Sequence, residues 1–150
     1  MPDRMTVAER EAFLSDVRVG VLSVASDRPD RAPISAPVWY DYSAGTGVVT
    51  IMMNASSRKG VALEAAQRFV LVVQSETLPY RYVTVEGPLS EVRRPDTEKD
   101  LLPLAVRYLG EEGGRAYAKG WEEAGAAATD LVYIMKPTHW NTADFTNDLA

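Results

Sequence analysis

At 150 residues the chain has the size of one domain and enough length to bury a sizeable core. An apolar fraction of 46% with 25% charged residues is that of a soluble globular chain, and no repeat or low-complexity tract interrupts it. A net charge of −5 excludes a broad basic face for nucleic acid or anionic membrane, and the absence of Cys excludes disulfides, thiolate metal sites and thiol nucleophiles.

The amino-terminal MPDRMTVAERE lacks the apolar stretch of a signal peptide, and no window of about 18 uninterrupted apolar residues occurs, so a cytoplasmic location is expected. Thr6 and Glu9 have capping-box spacing, which predicts a helix from there through about Leu14. Residues 17–25, VRVGVLSVA, carry Val17, Val19 and Val21 at period two and run into the turn-forming SDRPDR, which predicts a strand and a turn. APISAPVWYDY and GVVTIMM follow as two β-rich runs joined by SAGTG, the pattern of a hairpin. Pro33 and Pro37 each lack a backbone donor, so the first of these runs belongs at a sheet edge or a bulge, where free backbone can meet a ligand.

Farther on, RFVLVVQS at 68–75 is too continuously apolar for a half-exposed strand, and YRYVTVEGPLSEV at 80–92 alternates. Residues 96–109 and 114–124 have helical spacing interrupted by GEEGG. Pro103 should bend that helix or sit in its first turn, Gly125 should stop it, and DLVYIMK at 130–136 closes the sheet. Leu101, Leu102, Leu104, Ala105, Tyr108 and Leu109 form an apolar stripe that core packing or a dimer contact explains without a ligand. Six strands with few helices predict a mainly β, α+β chain folded as a small barrel.

Between two of the strands lies NASSRKGVALEAA, 54–66. Ser56 or Ser57 can cap a helix over 58–67, leaving its first amides unpaired beside the cations of Arg58 and Lys59. Phosphate suits that geometry, because the positive end of the helix dipole adds to both charges. A capped surface helix with solvated Arg and Lys is the competing reading of the same pattern.

The order PISAPVWYDY, VVTIMMNASSRKGVAL, RFVLVVQ and PYRYVTVEGPLSEV resembles the split β-barrel superfamily of flavin and deazaflavin oxidoreductases related to pyridoxamine 5'-phosphate oxidase, over roughly 7–92 and again over 129–145. Its core is the Pro-x-Ser-x-Pro-Val-Trp-Tyr strand at 33–40 and the Ser-x-Lys loop at 57–59. The resemblance implies a six-stranded antiparallel split β-barrel of the FMN-binding, Greek-key type, and a homodimer with two cofactors in the grooves between subunits. It places the cofactor phosphate on Ser57, Arg58 and Lys59, and the backbone of Ser35, Ala36, Pro37 and Val38, with Trp39, beside the tricyclic ring. Met52 and Met53 would border the ring or the ribityl chain, and Gln74, Arg81 and Trp140 are further expected contacts.

Pyridoxamine phosphate oxidases proper carry an Arg and a Lys on the strand that here reads PISAPVWY, which has no basic residue, so vitamin B6 oxidation is not expected. Trp39-Tyr40, RYLG at 107–110 and the tail THWNTADFT are more similar to the branch that uses the deazaflavin coenzyme F-420, although FMN-binding relatives share such patterns. The resemblance therefore implies hydride transfer from reduced F-420 to a small organic substrate. An FMN-dependent oxidase or reductase is the first alternative, and a non-catalytic binder of flavin, deazaflavin or haem the second. A deazaflavin is restricted to hydride transfer, whereas FMN also passes single electrons, a difference that belongs to the cofactor. No catalytic residue is singled out, because hydride transfer demands position and exclusion of water more than an acid or a base.

The one His, His139, cannot build a multi-His metal site and reads as a tail or interface residue, so no metal is expected. Trp140 either caps the partner's groove or packs on the barrel end. Of Arg81 and Tyr82, adjacent on a strand, only one should face the groove.

Overall fold

The computed structural model describes residues 1–148. Helix α1 (Val7–Ser15) begins at the predicted capping box: the Glu9 amide donates to Thr6 Oγ1 (3.2 Å) and the Thr6 amide to Glu9 Oε2 (2.8 Å). Helix α2 (Arg58–Ala66) is capped by Ser57, the second of the two candidate Ser residues. The third helical region opens with a π-helical turn, Thr97–Leu101, and continues as α3 (Leu102–Glu123) with Pro103 in its first turn. Gly110 interrupts α3 at φ 80°, ψ 175°, a backbone region essentially reserved for glycine, so the predicted break falls there.

Eight strands form the sheet: β1 (Gly20–Val24), β2 (Ile34–Val38), β3 (Asp41–Ser43), β4 (Val48–Asn54), β5 (Arg68–Gln74), β6 (Arg81–Arg93), β7 (Asp130–Met135) and β8 (His139–Asp144). All pairings are antiparallel, in the order β2-β1-β5-β6-β7-β4-β3, with β8 on β6 as well. The 13-residue β6 serves both halves of the split barrel. Its first part lies between β5 and β8, and from Leu89 on it pairs with β7, with an irregularity between Leu89 and Glu91. Such an extra residue bends a strand and lets it pass from one sheet to another.

Two expectations change. The strands number eight rather than six, because the run 32–42 breaks at Trp39-Tyr40 and because 139–144 is strand and not tail. Only Asp41–Ser43 makes the hairpin with β4, while Ile34–Val38 pairs with β1. His139 and Trp140 thus stand on β8, opposite Glu86 and Val85. The predicted edge position of the Pro-containing strand holds: β1 is the one partner of β2 among the described residues.

The core is built from alternating inward positions. On β1 these are Gly20, Leu22 and Val24, so the period-two residues Val19 and Val21 face outward. Leu22, Leu71, Val83, Val85, Ile51 and Tyr133 are almost fully buried, with Phe13 and Leu14 of α1 and Leu63 of α2 closing the barrel ends. Each such aliphatic side chain contributes about 1.5–3 kcal/mol on burial. A second, smaller cluster joins Leu101, Ala118 and Trp121 to Met52 on the face of β4 away from the barrel interior.

Candidate functional site

The turn from β4 into α2 is tightly built. Asn54 closes it by accepting the Ser56 amide on Oδ1 (2.7 Å), while its carbonyl accepts the Ser57 hydroxyl (2.7 Å). Ser57 Oγ in turn accepts the Gly60 amide (3.1 Å). A Cβ on Gly60 would lie 2.6 Å from the carbonyl oxygens of both Asn54 and Ala55, so the helix can start this close to the strand only with glycine there. The amides of Arg58 and Lys59 have no acceptor among the described residues, as expected of a first helical turn.

The two neighbouring cations part company. Arg58 reaches the 25–33 loop, donating to Asp27 Oδ1 (2.7 Å) and Ser26 Oγ (3.3 Å), and its guanidinium holds the Asp27 carboxyl below the ordinary range. Lys59 is half-buried, has no ion-pair partner among the described residues, and lines a cavity of about 450 Å³. That volume lies within the range of about 300–1,000 Å³ usual for small-molecule sites.

Pro37, Val38 and Trp39 at the end of β2, with Met52 and Met53 on β4, form one side of this cavity. Leu101, Leu104, Tyr117 and Trp121 of the helical insert form the other, with Val19 and Asp130 at the rim. Trp39 is held in a stack of aromatic rings: Tyr108 lies parallel to it at 5.1 Å and 5°, and Tyr117 lies tilted at 5.2 Å. Tyr108 also donates its hydroxyl to the Arg18 carbonyl (2.6 Å) and accepts the Tyr40 amide (3.1 Å). Arg107, one residue away, donates to the carbonyls of Ser15 (3.0 Å) and Asp16 (2.7 Å), satisfying acceptors that the end of α1 leaves open. Tyr40, fully buried, donates to the Leu14 carbonyl (2.7 Å), and its burial pushes the phenol well above its ordinary pKa. The insert is therefore anchored to the barrel at the Arg107-Tyr108 end and covers the slot with its Tyr117-Trp121 end.

Of the residues singled out in the sequence, Pro37, Val38, Trp39, Met52, Met53 and Lys59 come together in this cavity. Ser35 does not: its hydroxyl lies 2.7 Å from that of Ser23, and it shares a separate shallow hollow with Arg58 and Arg31. Ala36 lies outside the cavity wall, Arg58 is turned toward Asp27, and Ser57 serves as helix cap. Gln74 is exposed at the end of β5. The Arg81 guanidinium stands 5.2 Å from the Phe13 ring, and Trp140 packs edge-on against Tyr42 (6.1 Å) beneath the Arg10 guanidinium (4.2 Å). Within the chain Trp140 thus packs on the barrel, not over the cavity.

The sequence reading overlooked Asp130 and the insert's share of the wall. Asp130 opens β7 and accepts the Trp121 indole N–H on Oδ2 at 2.9 Å. The apolar stripe of the insert packs as core, as its spacing predicts, with Leu101, Leu104 and Ala105 buried, and Leu101 and Leu104 line the slot as well. The available signal was a pair of aromatic residues, Tyr117 and Trp121, spaced i to i+4 after the GEEGG break.

A slot walled by apolar and aromatic side chains, with one free ammonium at the helix-start end, is the type of site that takes a flat ring system bearing an anion. The chain belongs to the pyridoxamine 5'-phosphate oxidase family, which matches residues 6–142 and so spans the insert as well as the barrel. No curated protein matches it. Among solved structures it is similar to an F-420 reductase, at 21% identity and a TM-score of 0.68 over 87% of this chain and 94% of that one. It is also similar to a conserved hypothetical protein of Mycobacterium tuberculosis, at 20% identity and a TM-score of 0.73 over 97% and 89%. An FAD and heme binding protein of Mycobacterium smegmatis aligns at 13% identity and a TM-score of 0.62, over 93% and 71%. These likenesses show the shared split-barrel fold. No group of His, Cys, Asp or Glu suited to a metal ion occurs among the described residues, and no helix among them is long and apolar enough to cross a membrane.

Proposed function

We propose that the cavity holds the ring of a flavin-type cofactor, that this cofactor is F-420, and that the protein transfers hydride from its reduced form to a small organic substrate. The observation that carries the reading is Lys59: a half-buried ammonium that makes no ion pair among the described residues, beside two free amides, in the wall of a largely apolar slot. A partly desolvated charge without a partner is costly, and a phosphate group supplies the partner. The residues present fit such a ligand. Val38, Met52 and Leu104 offer flat apolar contact, and the unpaired edge of β2 offers backbone groups to ring heteroatoms.

When bound, the cofactor supplies the hydride chemistry. The chain's own part is to orient and to keep water out. Arg107 and Tyr108 fix the insert, the contact of Trp39 with Tyr117 holds the insert against β2, and donor and acceptor must approach to about 3–3.5 Å. F-420 is favoured over FMN by the lack of basic residues on 33–40 together with the Trp39-Tyr40 and RYLG patterns. A two-fold homodimer, with a cytoplasmic setting, belongs to the same reading: the outward Val19 and Val21 (53% and 40% exposed) and the free β2 edge adjoin the cavity and offer a second copy an apolar face.

Titration of the purified protein with F-420 and with FMN, followed by anaerobic oxidation of reduced F-420 against enones and quinones, tests this. Saturable F-420 binding and acceptor-dependent oxidation are expected. Tight FMN binding and turnover without F-420 binding would assign the protein to the flavin branch, binding of either without turnover would make it a carrier, and binding of neither would refute the cofactor reading. Light scattering at micromolar concentration checks the dimer; a monomer with undiminished cofactor affinity refutes it.

A further inference from the structure

Resting on that cofactor reading, we propose that Asp130 is the acceptor for the hydroxylated chain joining ring to phosphate, and that Trp121 is the positioning residue that aims it. Asp130 is half-buried, lines the cavity, and is the one carboxylate to do so among the described residues. Its Oδ2 takes the Trp121 indole N–H at 2.9 Å, while no described residue donates to its Oδ1. A half-buried carboxylate with an oxygen not engaged by the protein can accept from a hydroxyl donor of whatever fills the cavity.

Its place along the site decides which donor. In the β4-β7 register Met52 lies opposite Val132, Met53 opposite Leu131, and Asn54 opposite Asp130. Two residues of strand, roughly 7 Å, thus separate the Met52 level from the Asp130 level. Beyond Asn54 the chain turns at once into the Ser57 cap and Lys59, and the Ala55 amide bonds the Thr129 carbonyl (3.0 Å), tying that turn to the residue before Asp130. A ligand with its ring against Met52 and its phosphate at Lys59 passes Asp130 between the two. The segment of a flavin-type cofactor between ring and phosphate is a polyol, a row of hydroxyl donors. The indole N–H restrains the carboxylate of this cavity-lining residue through Oδ2, leaving Oδ1 free to accept from a ligand.

The test is binding of three ligands: F-420, its phosphate-free deazariboflavin core, and the deazaflavin ring without side chain, with FMN, riboflavin and lumichrome in parallel. Asp130→Asn hands its amide oxygen to Trp121 and turns an NH₂ toward the polyol, and Asp130→Ala removes the group. In both, the dissociation constants of the two polyol-bearing ligands should rise about tenfold or more, while that of the bare ring stays within about twofold, which also reports an intact fold. Trp121→Phe should cause a smaller loss in the same order of ligands. Equal losses for all three ligands would show that Asp130 merely shapes the wall, and no loss would show that it has no contact; either overturns the proposal while leaving the cofactor reading standing. Failure of the unaltered protein to bind any of the ligands would instead refute the cofactor reading, and this inference with it.

Discussion

Replacing Lys59 by Ala removes the one cation lining the cavity among the described residues. A charge-assisted contact to phosphate is worth about 1.5–3 kcal/mol, and each 1.4 kcal/mol is a factor of ten, so the dissociation constant for F-420 or FMN should rise on the order of ten- to a hundredfold. The half-buried position of Lys59 places the loss away from the weak limit set by solvent screening. Arg58→Ala is the internal comparison. Its side chain is 41% exposed and already engaged by Asp27 at 2.7 Å, so its loss should change affinity by less than about threefold and stability by at most about 1 kcal/mol. Isothermal or fluorescence titration at two salt concentrations reads both, and the phosphate-free core should bind the Lys59 variant as it binds the parent protein. Unchanged phosphate-ligand affinity in the Lys59→Ala protein, or an equal loss for the phosphate-free core, would refute the reasoning and return the turn to a merely capped surface helix.

Tyr40→Phe leaves a buried Leu14 carbonyl without its 2.7 Å donor and should cost about 1–3 kcal/mol, seen as a fall of several degrees in thermal melting; an unchanged Tm would show that Arg107 alone satisfies the end of α1. Gly60→Ala drives a methyl to 2.6 Å from two backbone carbonyl oxygens, so the 54–60 turn must shift, and phosphate-ligand affinity should fall together with Tm. Arg93 grips Asp100 through two 2.7 Å contacts and holds its carboxyl below the ordinary 3.8. Since the folded-state pKa is the lower one, this stabilisation is present above about pH 4 and is lost as pH falls through the depressed value. Asp100→Asn should therefore flatten the acid side of a denaturant-midpoint profile below about pH 4, and an identical acid slope in the two proteins would refute the assignment.

Features whose causes lie within a few residues were legible from the chain alone. The Thr6 capping box, the Ser57 cap, the position of Pro103 at a helix start and the edge position of a strand carrying Pro37 each follow from one backbone group and its neighbour at i+3 or i+4, or from one missing donor. Alternation on β1 likewise established a strand, but alternation offers two faces and does not say which is inside. That choice was made by Leu71, whose side chain occupies the space beside Gly20, and it sends Val19 outward to the cavity rim. The polar spacing of HWNTAD hid β8, because its pairing with β6 depends on backbone groups that side-chain pattern does not report. The cavity itself was decided only in three dimensions. Tyr108 and Tyr40 meet across 68 residues, and Trp121 and Asp130 become partners because the break at Gly110, the turn at Gly125 and the β4-β7 register bring the end of α3 over Met52. Such contacts carry no short-range signature; they exist only once loop closure has placed distant segments side by side, and the slot, its aromatic wall and its single carboxylate arise from that packing.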